Sequence, residues 1–269
     1  MAETRVLTGT CGYSYEEWRG CFYPMKLPKY EYLRYYSLVF PFVELDFTWY
    51  AMPQERNLVA MAQCTGSNFL FSLKAHRSLT HEVGEDWRDR AAEFSGSIRA
   101  LQRTGRLAAI LIQMPFRFSY TAENRRYLSE LCASLEEFPL AVEFRNDGWY
   151  LPRVFEGFER RRIALVTVDR PDLHGLPPES QHITAPLAYY RLHGRNAEQW
   201  WKGDATSRYD YDYSDAELSA RAQMIAALAR KASLVLVAFN NYADGRAVSN
   251  AQTLTGMLKK LLPPSALHD

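Results

Sequence analysis

Short runs rich in branched and aromatic residues alternate along this chain with stretches whose apolar positions recur at helical spacing. Eight runs read as strands: residues 5–10, 42–46, 69–74, 107–114, 140–145, 163–169, 188–193 and 234–240. Between them, Trp87, Ala91, Phe94, Ile98 and Leu101 share one helical face, as do Leu218, Ala222, Ile225 and Ala229. Ser214 and Glu217 have the spacing of a capping box and mark where the second of these helices begins. Strands alternating with helices predict a parallel sheet, and eight such units predict a (β/α)8 TIM barrel, an α/β fold with its active face at the carboxyl ends of the strands.

Composition narrows this picture. A chain of 269 residues, 47% of them hydrophobic, fits one barrel domain spanning residues 1–269. The 32 basic and 31 acidic side chains nearly cancel, so no whole-chain field draws in nucleic acid or an anionic membrane. The amino terminus lacks the basic start and apolar stretch of a signal peptide, and no run reaches the roughly 18 apolar residues of a membrane span. A cytoplasmic protein is expected. Cys11, Cys21, Cys64 and Cys132 are well separated and read as reduced thiols.

Three segments after strands, residues 11–29, 170–186 and 196–213, are long and rich in Pro, Gly or aromatic residues, as functional loops often are. Tyr13, Tyr15, Trp18, Phe22 and Tyr23 follow the first strand, and Trp200, Trp201, Tyr209, Tyr211 and Tyr213 the seventh. These rings either stack on a ligand or pack the loops down, and Trp200 and Trp201 are the candidates for a lid.

Candidate chemistry lies where polar residues interrupt apolar strands, because alternate side chains share a face. Glu44, Asp46 and Thr48 share parity, as do Ser72, Lys74 and His76. Gln113 ends the fourth run, Glu143 and Arg145 the fifth, Thr167 and Asp169 the sixth, Arg191 and His193 the seventh, and Asn240 the eighth. Charges in strands are costly to bury unless paired or solvated, so this set reads either as a shared wet pocket or as an ion-pair network filling the barrel mouth. Lys74 is suited to a Schiff base or to holding an anion, with Arg145, Arg191 and Arg195 as further clamps. Glu44, Asp46, Glu143 and Asp169 are the carboxylates available for proton transfer. His76 and His193 with Glu143 and Asp169 form a conceivable nitrogen and oxygen ligand set, but no His-Glu-x-x-His or clustered Asp motif supports it, and no metal is assigned. Glycine-rich dinucleotide, P-loop and Gly-x-Ser-x-Gly patterns are absent, so no cofactor is assigned.

Several motifs appear in order: Gly9-Thr10-Cys11-Gly12-Tyr13-Ser14, Trp18-Arg19-Gly20 with Phe22-Tyr23-Pro24, Val43-Glu44 leading to Thr48-Trp49-Tyr50, and Phe71-Ser72-Leu73-Lys74-Ala75. They continue with Gln113-Met114-Pro115, Ala141-Val142-Glu143-Phe144-Arg145, His193-Gly194-Arg195 and Phe239-Asn240-Asn241. Over nearly its whole length the chain resembles the DUF72, or YecE-like, family. The resemblance implies a TIM barrel and brings no biochemical activity with it. It points to Glu44, Lys74, Gln113, Glu143, Arg145, His193, Arg195, Asn240, Asn241 and Asn250 as the motif residues. Cys11, Tyr13 and Asp46 depart from the family pattern, which usually has a small hydroxyl residue, Trp and Asn there.

Three functional readings follow. In the first, an enzyme acts on a small polar or anionic substrate: Lys74, Arg145, Arg191 and Arg195 fix the anion, Glu143 or Glu44 moves a proton, His193 completes the catalytic group, and Asp46, His76, Gln113, Asp169, Asn240 and Asn241 line the pocket. In the second, a nucleic-acid-binding or nuclease barrel runs its arginines along phosphates. In the third, the barrel is a non-catalytic ligand-binding or scaffold protein. Substrate and oligomeric state are not read from the sequence.

Overall fold

The computed structural model describes residues 4–267. The strands are β1 (Arg5–Cys11), β2 (Phe42–Leu45), β3 (Leu70–Lys74), β4 (Leu107–Gln113), β5 (Leu140–Glu143), β6 (Ala164–Leu165), β7 (Thr167–Asp169), β8 (Leu187–Leu192) and β9 (Leu234–Phe239). All of their pairings are parallel, in the order β6-β5-β4-β3-β2-β1-β9-β8-β7. Most of these residues are buried, because a parallel barrel is covered on both faces, and this is why the runs are almost continuously apolar.

The nine segments correspond to the eight predicted runs. The sixth run is split: Ala164–Leu165 pairs with β5, Val166 N–H donates to Val142 O (2.9 Å), and Thr167–Asp169 pairs with β8. One strand thus hands its pairing from one neighbour to the other and brings the ring nearly to closure. The buried Thr184 hydroxyl fills the gap, accepting from Leu165 N–H (2.8 Å) and donating to Ile163 O (2.6 Å).

Around the barrel lie α1 (Tyr32–Ser37), α2 (Phe47–Tyr50), α3 (Glu55–Gln63), α4 (Trp87–Arg103), α5 (Ala122–Ser134), α6 (Pro152–Arg161), α7 (Ala205–Arg208), α8 (Asp215–Ala229) and α9 (Arg246–Leu258). The predicted faces of α4 and α8 are the buried ones, and the Ser214–Glu217 capping box starts α8. Among the described residues, no helix is long and apolar enough to cross a membrane.

Two apolar layers result. One, between strands and helices, includes Phe71, Phe94, Ile98, Ile112, Leu218 and Val237. The other fills the barrel with Leu7, Phe42, Leu111, Val166, Leu187 and Leu236, interleaved with Ala109, Ala141, Ala164 and Ala238. Gly9 lies where β1 presses on its neighbour: a Cβ there would sit 2.1 Å from Phe42 O. Above this interior layer, toward the carboxyl ends, the inward positions turn polar.

Candidate active site

Parity decides which side chains meet. The interior layer contains Cys11 of β1, Phe42 of β2, Leu111 of β4, Ala141 of β5, Val168 of β7, Tyr189 of β8 and Ala238 of β9. Two residues on from several of these, at the same parity, stand Glu44, Gln113, Glu143, Arg191 and Asn240. Glu44, Glu143, Arg191 and His193 are 0–2% exposed, so the centre of the mouth is dry.

Arg191 organises it. Its Nε and Nη2 donate to the two oxygens of Glu44 (2.9 and 2.7 Å), and Nη1 donates to Glu143 Oε2 (2.5 Å). Tyr189 hydroxyl also donates to Glu44 Oε2 (2.5 Å), and Gln113 Nε2 to Glu143 Oε1 (2.8 Å). Burial alone would raise both carboxyls. Arg191 reverses this, holding Glu44 below and Glu143 well below the ordinary carboxylate range. Asn240 Nδ2 donates to His193 Nδ1 (3.0 Å), so the ring proton sits on Nε2 and is given to Glu143 Oε1 (3.1 Å). Burial outweighs the attraction of Glu143 and pushes His193 down to about 4, which keeps the ring neutral.

The accessible chemistry sits one layer higher, on Lys74, Asp46 and Arg145, whose side chains are 16–23% exposed. Lys74 Nζ lies 4.0 Å from Asp46 Oδ1 and 5.4 Å from the centre of the Trp49 ring. Asp46 ends β2 and precedes α2, where Thr48 hydroxyl ties the turn to Leu45 O (2.8 Å) and Lys74 O (2.6 Å). Burial and the neighbouring Glu44 charge, partly offset by Lys74, push the Asp46 carboxyl up to about 7. Arg145 Nη2 donates to Tyr209 hydroxyl (2.8 Å), and despite burial Arg145 and Lys74 draw that phenol below its ordinary value.

Two of the long loops close over the centre of the mouth. Leu176, Trp200 and Tyr209 pack together, with Tyr209 stacked on His193 (centroids 5.6 Å). The cavity left beneath them, beside Arg145 and His193, is about 10 Å³, room for one water. Trp200 is therefore a buried part of the cover, while Trp201 stays exposed with its edge against Phe116. Trp18 and Tyr23 of the first loop are buried, Tyr23 stacking on Tyr32 at 4.0 Å. They pack that loop down.

Four expected pocket residues do not converge with the rest. Val168 faces the barrel interior, so Asp169 faces outward, where it accepts from Arg195 Nε (3.0 Å), Arg221 Nη2 of α8 (2.9 Å) and Tyr213 hydroxyl (2.6 Å). Asp169 and Arg195 thus form a separate network between strand and helix, and Arg195 is no anion clamp of the mouth. His76 Nδ1 accepts from Ser78 N–H (3.3 Å) and caps a short turn. Asn241 Nδ2 donates to Tyr211 O (2.9 Å) and Asn250 Oδ1 (2.7 Å), while Asn250 Nδ2 donates to Asp212 Oδ1 (2.9 Å), so this pair fastens the loop before α8. Conversely, two residues outside the expected pocket set touch the site. Tyr189 shares Arg191's parity and is legible in the sequence. Tyr209 lies in an aperiodic loop that carries no such signal.

Donor atoms of Cys11, Glu44 and Asp46 lie within 4.8 Å of one another. A divalent cation does not fit this set: Arg191 Nη2 already touches Glu44 Oε1 and Cys11 Sγ (3.4 Å), placing a fixed positive charge there. The Cys11 thiol, pushed up by burial and Glu44, stays protonated.

Residues 7–267 match the model of the family described as "Protein of unknown function DUF72". The UPF0759 protein YunF of Bacillus subtilis is 31% identical over 252 residues, covering 88% of this chain and 89% of its own. A DUF72 family protein of Thermotoga maritima superposes with a TM-score of 0.86 at 37% identity, over 95% of this chain and 99% of its own. Another, from Enterococcus faecalis, gives 0.84 at 26% identity over 96% and 98%. The chain belongs to the DUF72 family.

Proposed function

We propose that the protein is an enzyme that binds a small polar substrate carrying an oxyanion at the mouth of the barrel and moves a proton on it. Lys74 and Arg145 fix the anion, and Asp46 serves as acid or base. The observation that carries this reading is Asp46 itself: a partly accessible carboxyl beside Lys74, poised at about 7, where it can both give and take a proton at neutral pH. Glu44 and Glu143, the other carboxylates of the mouth, are saturated by Arg191 and act as its framework. Three cations, Lys74, Arg145 and Arg191, then face two permanent carboxylates, and protonation of Asp46 leaves the mouth net positive and attractive to an anion. The nucleic-acid reading is weaker, because Arg191 and Arg195 are spent on internal carboxylates.

A thermal-shift panel of phosphorylated and carboxylated metabolites tests the proposal. At least one compound is expected to stabilise the wild type, with the shift lost in Lys74→Ala and Arg145→Ala. Asp46→Asn should still bind but not turn over. A panel in which nothing shifts the wild type, or in which Lys74→Ala responds like it, overturns the proposal.

A further inference from the structure

His81 lies beyond the end of β3, on the rim beside the proposed anion site. Its Nδ1 accepts from the Trp49 indole N–H (3.3 Å) and from Thr80 hydroxyl (3.0 Å). An indole N–H can only donate, so the imidazole proton is fixed on Nε2. Trp49 stands edge-on to the ring (centroids 5.0 Å, 86°) and Arg117 Nη2 donates to His81 O, so ring and backbone are both held. Burial, together with the charges of Lys74, Arg145 and Arg117 and against the pull of Glu143, pushes the imidazole down to about 4. The Nε2–H has no acceptor among the described residues. His81 also lines a cleft of about 380 Å³ together with Thr80, Arg117, Glu123, Asn124 and Tyr127.

A neutral imidazole held as an N–H donor, within the field of Lys74, Arg145 and Arg117 and lacking an acceptor among the described residues, is suited to an anion's oxygen. We propose that His81 is a ligand-contacting residue: its Nε2–H donates to an oxyanion that Lys74 and Arg145 hold from the barrel side and Arg117 from the loop side. The substrate therefore reaches from the mouth into the cleft, with its phosphoryl or carboxylate group at the junction and a polar remainder beside Asn124 and Tyr127. This assignment rests on the anion site proposed above and adds a residue and a direction to it.

The test uses the full chain with ¹⁵N-labelled histidine and two probes, inorganic phosphate and malonate. Binding of either is expected to shift the Nε2 resonance of His81, assigned by its loss in His81→Gln. By calorimetry His81→Phe should bind the effective probe about tenfold more weakly, as expected for a lost hydrogen bond to a charged group. His81→Gln, which keeps an N–H donor, should stay within about threefold. The ratio of wild-type to His81→Phe affinity should be the same at pH 6 and pH 8, since the ring stays neutral across that range. If a probe binds the wild type but leaves Nε2 unmoved and His81→Phe binds equally well, the His81 assignment is overturned and the anion site stands. If neither probe binds the wild type, the anion site falls and the role of His81 with it.

Discussion

Replacing Arg191 with Met tests whether the centre of the mouth is a structural ion network. Met keeps most of the volume and removes the guanidinium, whose bonds satisfy both oxygens of Glu44 and one of Glu143. Glu44 would keep Tyr189 and the neighbouring Cys11 and Asp46, and Glu143 would keep Gln113, His193 and a longer ion pair with Arg145 Nε (3.5 Å). Removing one partner of a buried ion pair costs about 3–5 kcal/mol, and here Glu44 loses its cation while Glu143 is left with the longer contact to Arg145. Marginal stabilities of about 5–15 kcal/mol make that a large fraction of the total. The loss must also depend on pH. In the wild type both carboxyls titrate below their unfolded values, so their contribution is fully present above the unfolded carboxylate range of about 4.3 and fades as pH falls below it. Without Arg191, burial dominates and raises both, so the folded variant takes up protons that the unfolded chain does not, and its stability falls as pH rises past about 4.3. Urea unfolding should show a deficit of about 3–5 kcal/mol at pH 8 and a smaller one at pH 5. Arg191→Lys, which keeps the charge without the fork, should fall between. A deficit below about 1 kcal/mol at pH 8, or an equal one at both pH values, would refute the network as a stabilising framework.

Two further substitutions separate the rim from the outer network. Asp46 titrates at about 7 when folded, above its unfolded value of about 3.9, so it binds a proton in the native state between those limits and destabilises the fold as pH rises through them. Asp46→Asn should gain thermal stability relative to the wild type between pH 5 and pH 8, and a difference independent of pH would show that the carboxyl is not raised. Asp169→Asn leaves Arg195 and Arg221 competing for a neutral acceptor and should cost about 3 kcal/mol in urea unfolding, with phosphate affinity unchanged. Loss of phosphate binding in that variant would return Asp169 to the mouth.

How the family fold arises was largely legible in the chain. The eight runs fall within two residues of the observed strands because strands buried on both faces need branched and aromatic residues without interruption. The faces of α4 and α8 were equally clear, since helical spacing and a capping box are local signals. Strand parity also located Glu44, Lys74, Gln113, Glu143, Arg145, Arg191 and His193. It misplaced Asp169, where the polar end of the run was followed rather than the apolar interior set by Val166 and Val168. It also carries His76 into the pocket set although the chain leaves the strand after Lys74, where parity stops applying.

The chain by itself thus determined the barrel, its strands and the residues at its mouth, because those follow from periodicity over a few neighbours. Only the tertiary structure decided which of them are spent on each other. Arg191 and Glu44 are 147 residues apart and Arg191 and Glu143 are 48 apart, so their pairing exists only once the ring is nearly closed. Whether a polar layer is wet or dry depends on the loops that cover it. Trp200, Tyr209 and Leu176 seal the centre and leave Lys74, Asp46 and Arg145 at the accessible edge. Proton affinity follows burial and charge in three dimensions, so the same residue type is a fixed anion at Glu143 and a titrating group at Asp46.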